Sequence, residues 1–137
     1  MSRMESDSIG TLNVPADAYY GVQSMRAADN FQITHQPMHP TFIDSIVTIK
    51  KAAAMTNKKA GNLSKEREEA IVKACNEILS GKLRDQFIVD AIQGGAGTSA
   101  NMNVNEVIAN CAIEILGGEK GGDIKNLKQL TNVIKCV

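Results

Sequence analysis

A glycine-rich turn that runs into a long apolar segment constrains this chain more than any other feature. Residues 93–103 read QGGAGTSANMN, with three glycines within four positions. Glycine permits positive φ angles and close approach of the backbone to a ligand, and Thr98 and Ser99 are residue types that cap helices. A helix that begins there presents unpaired N–H groups, which favour a carboxylate or a phosphate. The segment is therefore compatible with an anion site, but on these residues alone an ordinary linker is favoured.

The same turn also fits a dinucleotide-binding pattern. Residues 95–100 match G-x-G-x-x-A and follow the strand-like run at 87–89. A βαβ unit then requires a second strand that ends in an acidic residue. Residues 117–122 read GGEKGG instead, so a dinucleotide-binding fold is not expected.

Length and composition predict one mainly helical domain. The chain has 137 residues, a formal net charge of 0 and 4% aromatic residues. A core of Ile, Val, Leu, Ala and Met suits packed helices, and the balanced charge gives no electrostatic case for nucleic acid or a membrane surface as partner. No apolar run approaches the roughly 18–20 residues that span a bilayer, and the polar N-terminus is not typical of a signal peptide. The expected compartment is the cytoplasm.

Apolar residues at helical spacing predict three helices. Thr41 and Ser64 are the expected N-caps of the first two. The helices are expected at residues 41–59, 64–79 and 98–116. The buried stripe of the first helix is expected to consist of Phe42, Ile46, Ile49 and Ala53, widened by Ile43 and Val47.

The remaining segments predict little regular structure. Short extended pieces are expected near residues 9–14 and 86–89, whereas residues 1–8 are expected to be mobile and residues 27–40 irregular because of their prolines. Three widely spaced cysteines do not indicate a disulfide framework. Cys75 and Cys111 fall within helical patterns and are interpreted as small buried hydrophobic residues.

Two pairs of titratable residues are candidates for chemistry. His35 and His39 are four apart, as metal ligands on a helix are, but Pro37 lies between them and no carboxylate or thiolate is near. They are interpreted as loop histidines, and no metal is expected. Asp85 and Asp90 are either an acid–base pair or turn residues, and turn residues are favoured.

Four asparagines in the third predicted helix are unusual, because Asn is a poor former of helix interiors. Asn101, Asn103, Asn105 and Asn110 predict either hydrogen bonds to a ligand or a neighbouring chain, or a hydrated helix face. The sequence leaves both possibilities open.

Three motifs carry a resemblance to a known family. Residues 93–114, QGGAGTSANMNVNEVIANCAIE, closely resemble a motif of the aspartase/fumarase superfamily. The same holds for DAYYGVQSMR at 17–26 and DQFIVD at 85–90, and the resemblance covers roughly residues 5–120 in register. The form QGGAGTS with YYGVQ upstream is similar to the aspartase branch, the aspartate ammonia-lyases. The class II fumarases, which have serine-containing variants of the glycine turn, are the nearest alternative.

This resemblance implies a largely helical fold of three domains, assembled as a homotetramer. It implies reversible deamination of L-aspartate to fumarate and ammonia without an organic cofactor, in which a loop serine removes a proton from Cβ and hydrogen-bond donors hold the resulting dianion. Thr98 matches the family's substrate-binding threonine, and Gly97 and Ser99 would shape or contact the same pocket. Asn103 is a further candidate for holding the pocket or a neighbouring subunit. No catalytic residue and no metal ligand is expected among these residues.

The sequence also departs from the superfamily pattern. Ala91 stands where aspartases often have Pro, and Cys111 where they usually have Arg. After Lys120 the resemblance is lost, so residues 1–120 are expected to form the N-terminal domain and residues 121–137 a divergent tail left by a truncation or a broken reading frame. We expect such a chain alone not to turn over aspartate. A non-catalytic helical binding or assembly module is the alternative from another functional class.

Overall fold

The computed structural model describes residues 1–121 of the chain, and these residues form a mainly helical fold with a small sheet. Strands β1 (Ser2–Ser6) and β2 (Thr11–Pro15) pair as an antiparallel hairpin. The helices that follow are α1 (Val22–Asn30), α2 (Pro40–Lys59), α3 (Lys65–Leu79) and α4 (Thr98–Ile115), with a 3-10 turn at Arg84–Gln86 before α4. The predicted fold class is confirmed. Apart from Gly121, the predicted tail at 121–137 lies outside the described residues.

Helix α4 is the centre of the core. All residues from Asn103 to Ile113 are buried, and α1, α2 and α3 all pack against this helix. A helix that is buried on every side belongs to the interior of a fold rather than to its surface. The predicted third helix is therefore confirmed, and its buried surface is wider than its apolar residues indicated, because polar residues of the helix are buried as well.

The buried face of α2 overlaps the predicted one only in part, since Ile43 and Val47 are buried as predicted but the rest of the face is shifted around the helix. Phe42 and Ile49 are 49% and 54% exposed. The amino group of Lys50, a residue only 1% exposed, donates a hydrogen bond of 2.5 Å to Asn101 Oδ1. The spacing of apolar residues does not predict this buried face, because the face includes a lysine and lysine is rarely buried. The buried residues of α2 are Ile43, Val47, Lys50 and Ala54.

The caps of α2 and α3 follow local sequence. His39, not Thr41, is the N-cap of α2, and its Nδ1 accepts a hydrogen bond of 3.2 Å from the Thr41 N–H. The helix begins one residue earlier than predicted, because Pro40 occupies the first helical position, where no N–H is needed. Ser64 caps α3 as predicted, accepting from the Arg67 N–H at 3.4 Å.

The N-terminal residues are ordered, and the prediction that residues 1–8 are mobile is wrong. Arg3 donates from Nε to Glu5 Oε1 at 2.8 Å. Its two other guanidinium nitrogens donate to backbone carbonyls at the end of β2 and in the segment that follows it. These carbonyls belong to Pro15, Ala16, Ala18 and Tyr20. The neighbouring prediction of an extended piece at 9–14 is confirmed by β2.

Helix α1 was not predicted, since part of it falls in the segment 27–40 that was expected to be irregular. Its N-terminus is held by two carboxylates from distant segments. Glu5 Oε2 accepts from the Val22 N–H at 3.0 Å. Glu106 of α4 accepts from the N–H groups of Gly21, Gln23 and Ser24 at 2.9–3.1 Å and from the Ser24 hydroxyl at 2.5 Å. These bonds satisfy N–H groups that no turn of the helix itself can satisfy.

Gly21 is required where the two carboxylates meet the helix. A Cβ atom at this position would lie 2.6 Å from Glu5 Oε2 and 2.8 Å from Glu106 Oε1. Both glutamates are 4% exposed, and moving either carboxylate aside would break its hydrogen bonds to the N-terminus of α1. The close approach of carboxylates and backbone therefore depends on the missing side chain of Gly21.

The segment before the glycine turn is irregular. Residues 86–89 form no strand; the 3-10 turn ends at Gln86, and one isolated antiparallel bridge joins Pro37 to Asp90. The extended piece expected near 86–89 is therefore reduced to that bridge. Within residues 1–121, no helix is both long and apolar enough to cross a membrane.

Replacing Glu106 by Gln is expected to lower the free energy of unfolding by about 2–4 kcal/mol, because an amide NH₂ would face backbone donors in a buried place. Urea unfolding of the chain, followed by circular dichroism, measures this loss. Glu69→Gln is the matched control. The Glu69 side chain is 61% exposed and its carboxylate lies 3.6 Å from Lys65 Nζ, so this variant should lower the free energy of unfolding by less than about 0.5 kcal/mol. Equal losses in the two variants would contradict the role assigned to Glu106.

Candidate functional site

The N-terminus of α4 is built differently from the prediction. Gly97 is the N-cap, in the left-handed conformation (φ 88°, ψ 7°), and it has no side chain to cap this helix. Thr98 occupies the first helical position, where its N–H and its hydroxyl both donate to the Gly95 carbonyl, at 3.1 and 2.7 Å. The prediction that Thr98 and Ser99 cap the helix is wrong, because the glycine turn folds back and brings that carbonyl within reach.

Some of the N–H groups at the start of α4 already have hydrogen-bond partners in the glycine turn. The Ala100 N–H donates to Gln93 Oε1 at 2.5 Å, and the Asn101 N–H begins the helical ladder by donating to the Gly97 carbonyl at 3.0 Å. The Ser99 N–H has no partner among residues 1–121. Since a hydroxyl carries one proton, Thr98 must release the Gly95 carbonyl before it can donate to a ligand. The site thus offers the Ser99 N–H and hydroxyl directly, and the Thr98 hydroxyl by exchange.

Two adjoining clefts open beside this helix start. The smaller, of about 280 Å³, lies between α1, the turn of the β1–β2 hairpin and the first turn of α4, and Thr98 and Ser99 both line it. The larger, of about 780 Å³, continues along α1 and shares Ser99 with the first. Arg26 of α1 lines both clefts, which places a cation opposite the positive end of α4.

Arg26 is the site residue that the sequence analysis missed. Its Nε and Nη2 donate to Asp7 Oδ2 and Oδ1 at 2.8 and 3.2 Å. The guanidinium of Arg26 holds the pKa of the Asp7 carboxyl below its usual range. Arg26 ends the motif DAYYGVQSMR, but only the helix α1, which was not predicted, turns its side chain toward the glycine turn.

Asn103 lies in the core, not in the lining of either cleft. It is 0% exposed, accepts from the Val89 N–H at 3.5 Å and donates to the Gln86 carbonyl at 3.1 Å. These bonds brace the irregular segment that leads into the glycine turn. The structure therefore brings together Gly97, Thr98 and Ser99 of the predicted site residues, and it places Asn103 behind them.

The hydrated-face interpretation of the asparagines is wrong. Asn103, Asn105 and Asn110 are all 0% exposed. Asn110 donates to the Tyr19 carbonyl at 2.8 Å and accepts from the Gly121 N–H at 3.1 Å. Like Asn103, it therefore binds backbone groups of this chain, which compensates for the poor helix propensity of asparagine.

Asp90 anchors the loop that precedes the turn, as a turn residue does. Its carboxylate accepts from the backbone N–H groups of four residues and from the Thr34 hydroxyl at 2.6 Å. That hydroxyl and the N–H groups hold the pKa of Asp90 well below its usual range. Within residues 1–121, Asp85 accepts only from the neighbouring Gln86 side chain, at 2.8 Å, so the two aspartates share no hydrogen-bond partner and are not arranged as an acid–base pair. The N–H donors to Asp90 belong to Ile33, Thr34, His35 and Ile92.

Gln93 connects this anchor to α4. Its Nε2 donates to the Asp90 carbonyl at 2.8 Å, while its Oε1 accepts from the Ala100 N–H. Among residues 1–121, no group of three or more potential metal-ligating side chains lies together; His39 caps α2 and the His35 N–H binds Asp90.

Both departures from the superfamily pattern have a physical interpretation. The Ala91 N–H donates to the Gln36 carbonyl at 2.9 Å, a bond that a proline at this position would lack. Cys111 is 4% exposed, and burial raises the pKa of its thiol to about 11. Burial likewise raises the pKa of Cys75 to about 12. Both thiols are neutral packing groups, as predicted.

Comparisons with known proteins match this chain to lyases. A family model described as "Lyase" matches residues 10–135. An aspartate ammonia-lyase from Bacillus sp is 53% identical over 137 residues, which include 95% of this chain and 29% of that protein. The crystal structure of a fumarate lyase:delta crystallin from Brucella melitensis superposes with a TM-score of 0.92 at 44% identity, covering 97% of this chain and 31% of that one. A class II fumarase from Schistosoma mansoni gives a TM-score of 0.83 at 39% identity, covering 88% and 26%.

The chain spans less than a third of the length of each of these proteins. The family match continues to residue 135, so it includes most of the segment 121–137. The domain boundary at residue 120 stays a prediction.

Asp90→Asn is expected to lower the urea midpoint at neutral pH. Because the folded pKa of Asp90 lies below 3.8, its value in the unfolded chain, ionised Asp90 stabilises the fold above that pH, and this contribution is lost as the pH falls through the folded pKa. The difference between wild type and Asp90→Asn should therefore shrink below pH 3.8. Asp85→Asn, at an exposed position, should leave the midpoint nearly unchanged. A pH-independent difference for Asp90→Asn would contradict the assigned anchor.

Proposed function

The chain belongs to the lyase family, and from this premise we propose that it is the N-terminal domain of an aspartate ammonia-lyase, which converts L-aspartate to fumarate and ammonia. One observation carries the proposal: Thr98, Ser99 and Arg26 line the same cleft, at a helix start where the Ser99 N–H has no partner among residues 1–121. The likeness to the Bacillus aspartate ammonia-lyase and the motif QGGAGTS support the aspartase branch.

The chemistry that this geometry supports is recognition of a carboxylate that gains charge. Loss of the Cβ proton turns the neighbouring carboxylate of the substrate into a dianion, and departure of the amine as ammonia then completes the elimination. In the proposed site, the Ser99 N–H and hydroxyl and the Thr98 hydroxyl donate to the carboxylate oxygens. Such fixed donors stabilise a developing oxyanion by about 3 kcal/mol each. Arg26 and the dipole of α4 add positive potential at the same place.

The glycines and Asn103 have supporting roles in this proposal. Gly97 gives the turn the left-handed conformation that starts α4 beside the cleft. Asn103 holds the pocket from behind through the segment 86–89. We include in the proposal the cytoplasmic location and the homotetramer that the resemblance implies, with other parts of the lyase supplying the serine base.

We expect the 137-residue chain to bind succinate, an unreactive dicarboxylate, with shifts of the Thr98 and Ser99 amide signals in ¹⁵N NMR spectra. Thr98→Val removes one donor to a charged group and should weaken binding about tenfold or more. Thr56→Val is the matched control, since its hydroxyl donates only within α2, to the Ala52 carbonyl at 2.9 Å. Unchanged succinate affinity in Thr98→Val would contradict the proposed role of Thr98.

Turnover provides a second test. These 137 residues correspond to 29% of the length of the Bacillus relative, so we expect the isolated chain to bind a dicarboxylate without catalysing its turnover. Steady formation of fumarate from aspartate, abolished by Thr98→Val, would contradict that expectation. Tighter binding of L-malate than of L-aspartate would favour the class II fumarase alternative, and failure to bind any dicarboxylate would leave the non-catalytic helical module.

A further inference from the structure

We infer that Asp7 is a positioning residue for the anion site, acting through Arg26. The inference rests on the proposed function, because it concerns the affinity of the same cleft for a dicarboxylate. It assigns to the turn of the β1–β2 hairpin a part in ligand binding that neither the glycine turn nor α4 supplies.

The carboxylate of Asp7 is itself fixed. Its Oδ1 accepts from the N–H groups of Ile9 and Gly10 at 2.9 and 3.1 Å, and the Asp7 N–H donates to the Gly10 carbonyl at 3.0 Å. Its two oxygens meet Nε and Nη2 of Arg26, a two-point contact that sets the plane of the guanidinium as well as its position. The hairpin turn therefore orients Arg26, which among residues 1–121 is the cation that lines both clefts.

The pairing leaves a second edge of the guanidinium for a ligand. Nη1 of Arg26 has no hydrogen-bond partner among residues 1–121, and a planar guanidinium can bind a carboxylate through each of two edges. The Ser99 N–H is likewise unpaired and lies on the lining of the same clefts. Both donor groups therefore belong to residues that line the same clefts, where each can donate to a carboxylate.

Asp7 has two opposing effects on the affinity of this site for an anion. Its negative charge repels a second carboxylate: at about 7 Å in water the repulsion is worth roughly a factor of three, and less in salt. By ordering Arg26 before the ligand arrives, it removes a cost of immobilising a flexible side chain that is worth about two- to tenfold in affinity. Since the clefts are open to water, screening weakens the repulsion between Asp7 and the ligand but does not change the ordering of Arg26. The net effect of Asp7 is therefore to raise the affinity for the anion.

The sign of the change in Asp7→Asn tests this inference. The variant removes the charge and keeps an oxygen for the Ile9 and Gly10 N–H groups, but it breaks the two-point contact with Arg26. In the full chain at moderate salt, we expect succinate affinity to fall about threefold and the Arg26 Nε–H resonance to move toward that of free arginine. Asp29→Asn is the matched control, because Asp29 is an exposed carboxylate on the lining of the larger cleft. It removes the same charge and should leave affinity equal or higher.

Two outcomes would overturn the inference while leaving the proposed function intact. A rise in succinate affinity in Asp7→Asn, as in Asp29→Asn, would show that Asp7 acts only as a charge. Unchanged affinity with a lower melting temperature would show a purely structural role. If succinate leaves the Ser99 amide of the wild-type chain unshifted, the proposed function fails first, and the inference fails with it.

Arg26→Lys provides a second variant in case Asp7→Asn does not fold. A lysine keeps the charge and can still pair with Asp7, but it cannot present a second planar edge. We expect succinate affinity to fall at least as far as in Asp7→Asn. Wild-type affinity in Arg26→Lys would overturn the inference, because orientation of a planar donor would then be irrelevant.

Discussion

The structure depends on the contact between the Glu106 carboxylate and the N-terminus of α1. Burial raises the pKa of Glu106, and the hydrogen bonds from Ser24, Gln23 and Gly21 partly offset that effect. A buried carboxylate is tolerated only where donors surround it, and here the first turn of a helix provides them. This contact fixes α1 against α4, and α1 carries Arg26. The position of the cation at the candidate site thus follows from a buried carboxylate two turns further along the same helix that carries Thr98 and Ser99.

Sequence reasoning predicted the elements whose causes are local and missed those whose causes are distant. Helices α2, α3 and α4 carry their own apolar periodicity, and the Ser64 cap acts three residues away. Helix α1 has few buried residues, Val22 and Ser24, and its N–H groups are satisfied by a glutamate more than 80 positions later in the sequence. No local pattern encodes such a partner. The face of α2 was misplaced for a related reason, since Lys50 is buried against Asn101 of a helix that is distant in sequence.

The candidate site shows the same division. Its glycine turn and the residues Thr98 and Ser99 were found from the sequence, because positive φ angles and a helix start leave clear local signals. The cleft was not found from the sequence, because its opposite wall is α1, a helix that was not predicted. The donor capacity was also overestimated: the turn itself uses the N–H of Ala100, through Gln93, and both the N–H and the hydroxyl of Thr98, through Gly95. When the preceding turn already accepts hydrogen bonds from the first N–H groups of a helix, fewer of those groups remain for an anion, and the helix start is a weaker anion site.

What distinguishes the start of α4 is that its Ser99 N–H has no partner among residues 1–121. Other concentrations of backbone donors within residues 1–121 are filled by the protein's own side chains: Glu5 and Glu106 occupy the N-terminus of α1, and Asp90 occupies the N–H groups around Thr34. The helices α2 and α3 are capped by His39 and Ser64. Among residues 1–121, no carboxylate accepts from the Ser99 N–H at the start of α4. Asp7, on the lining of the same cleft, uses its carboxylate to hold the Arg26 guanidinium. A fold that fills its other donor clusters internally, and leaves the Ser99 N–H facing a cleft with a cation, supports the proposal that an external carboxylate binds in that cleft.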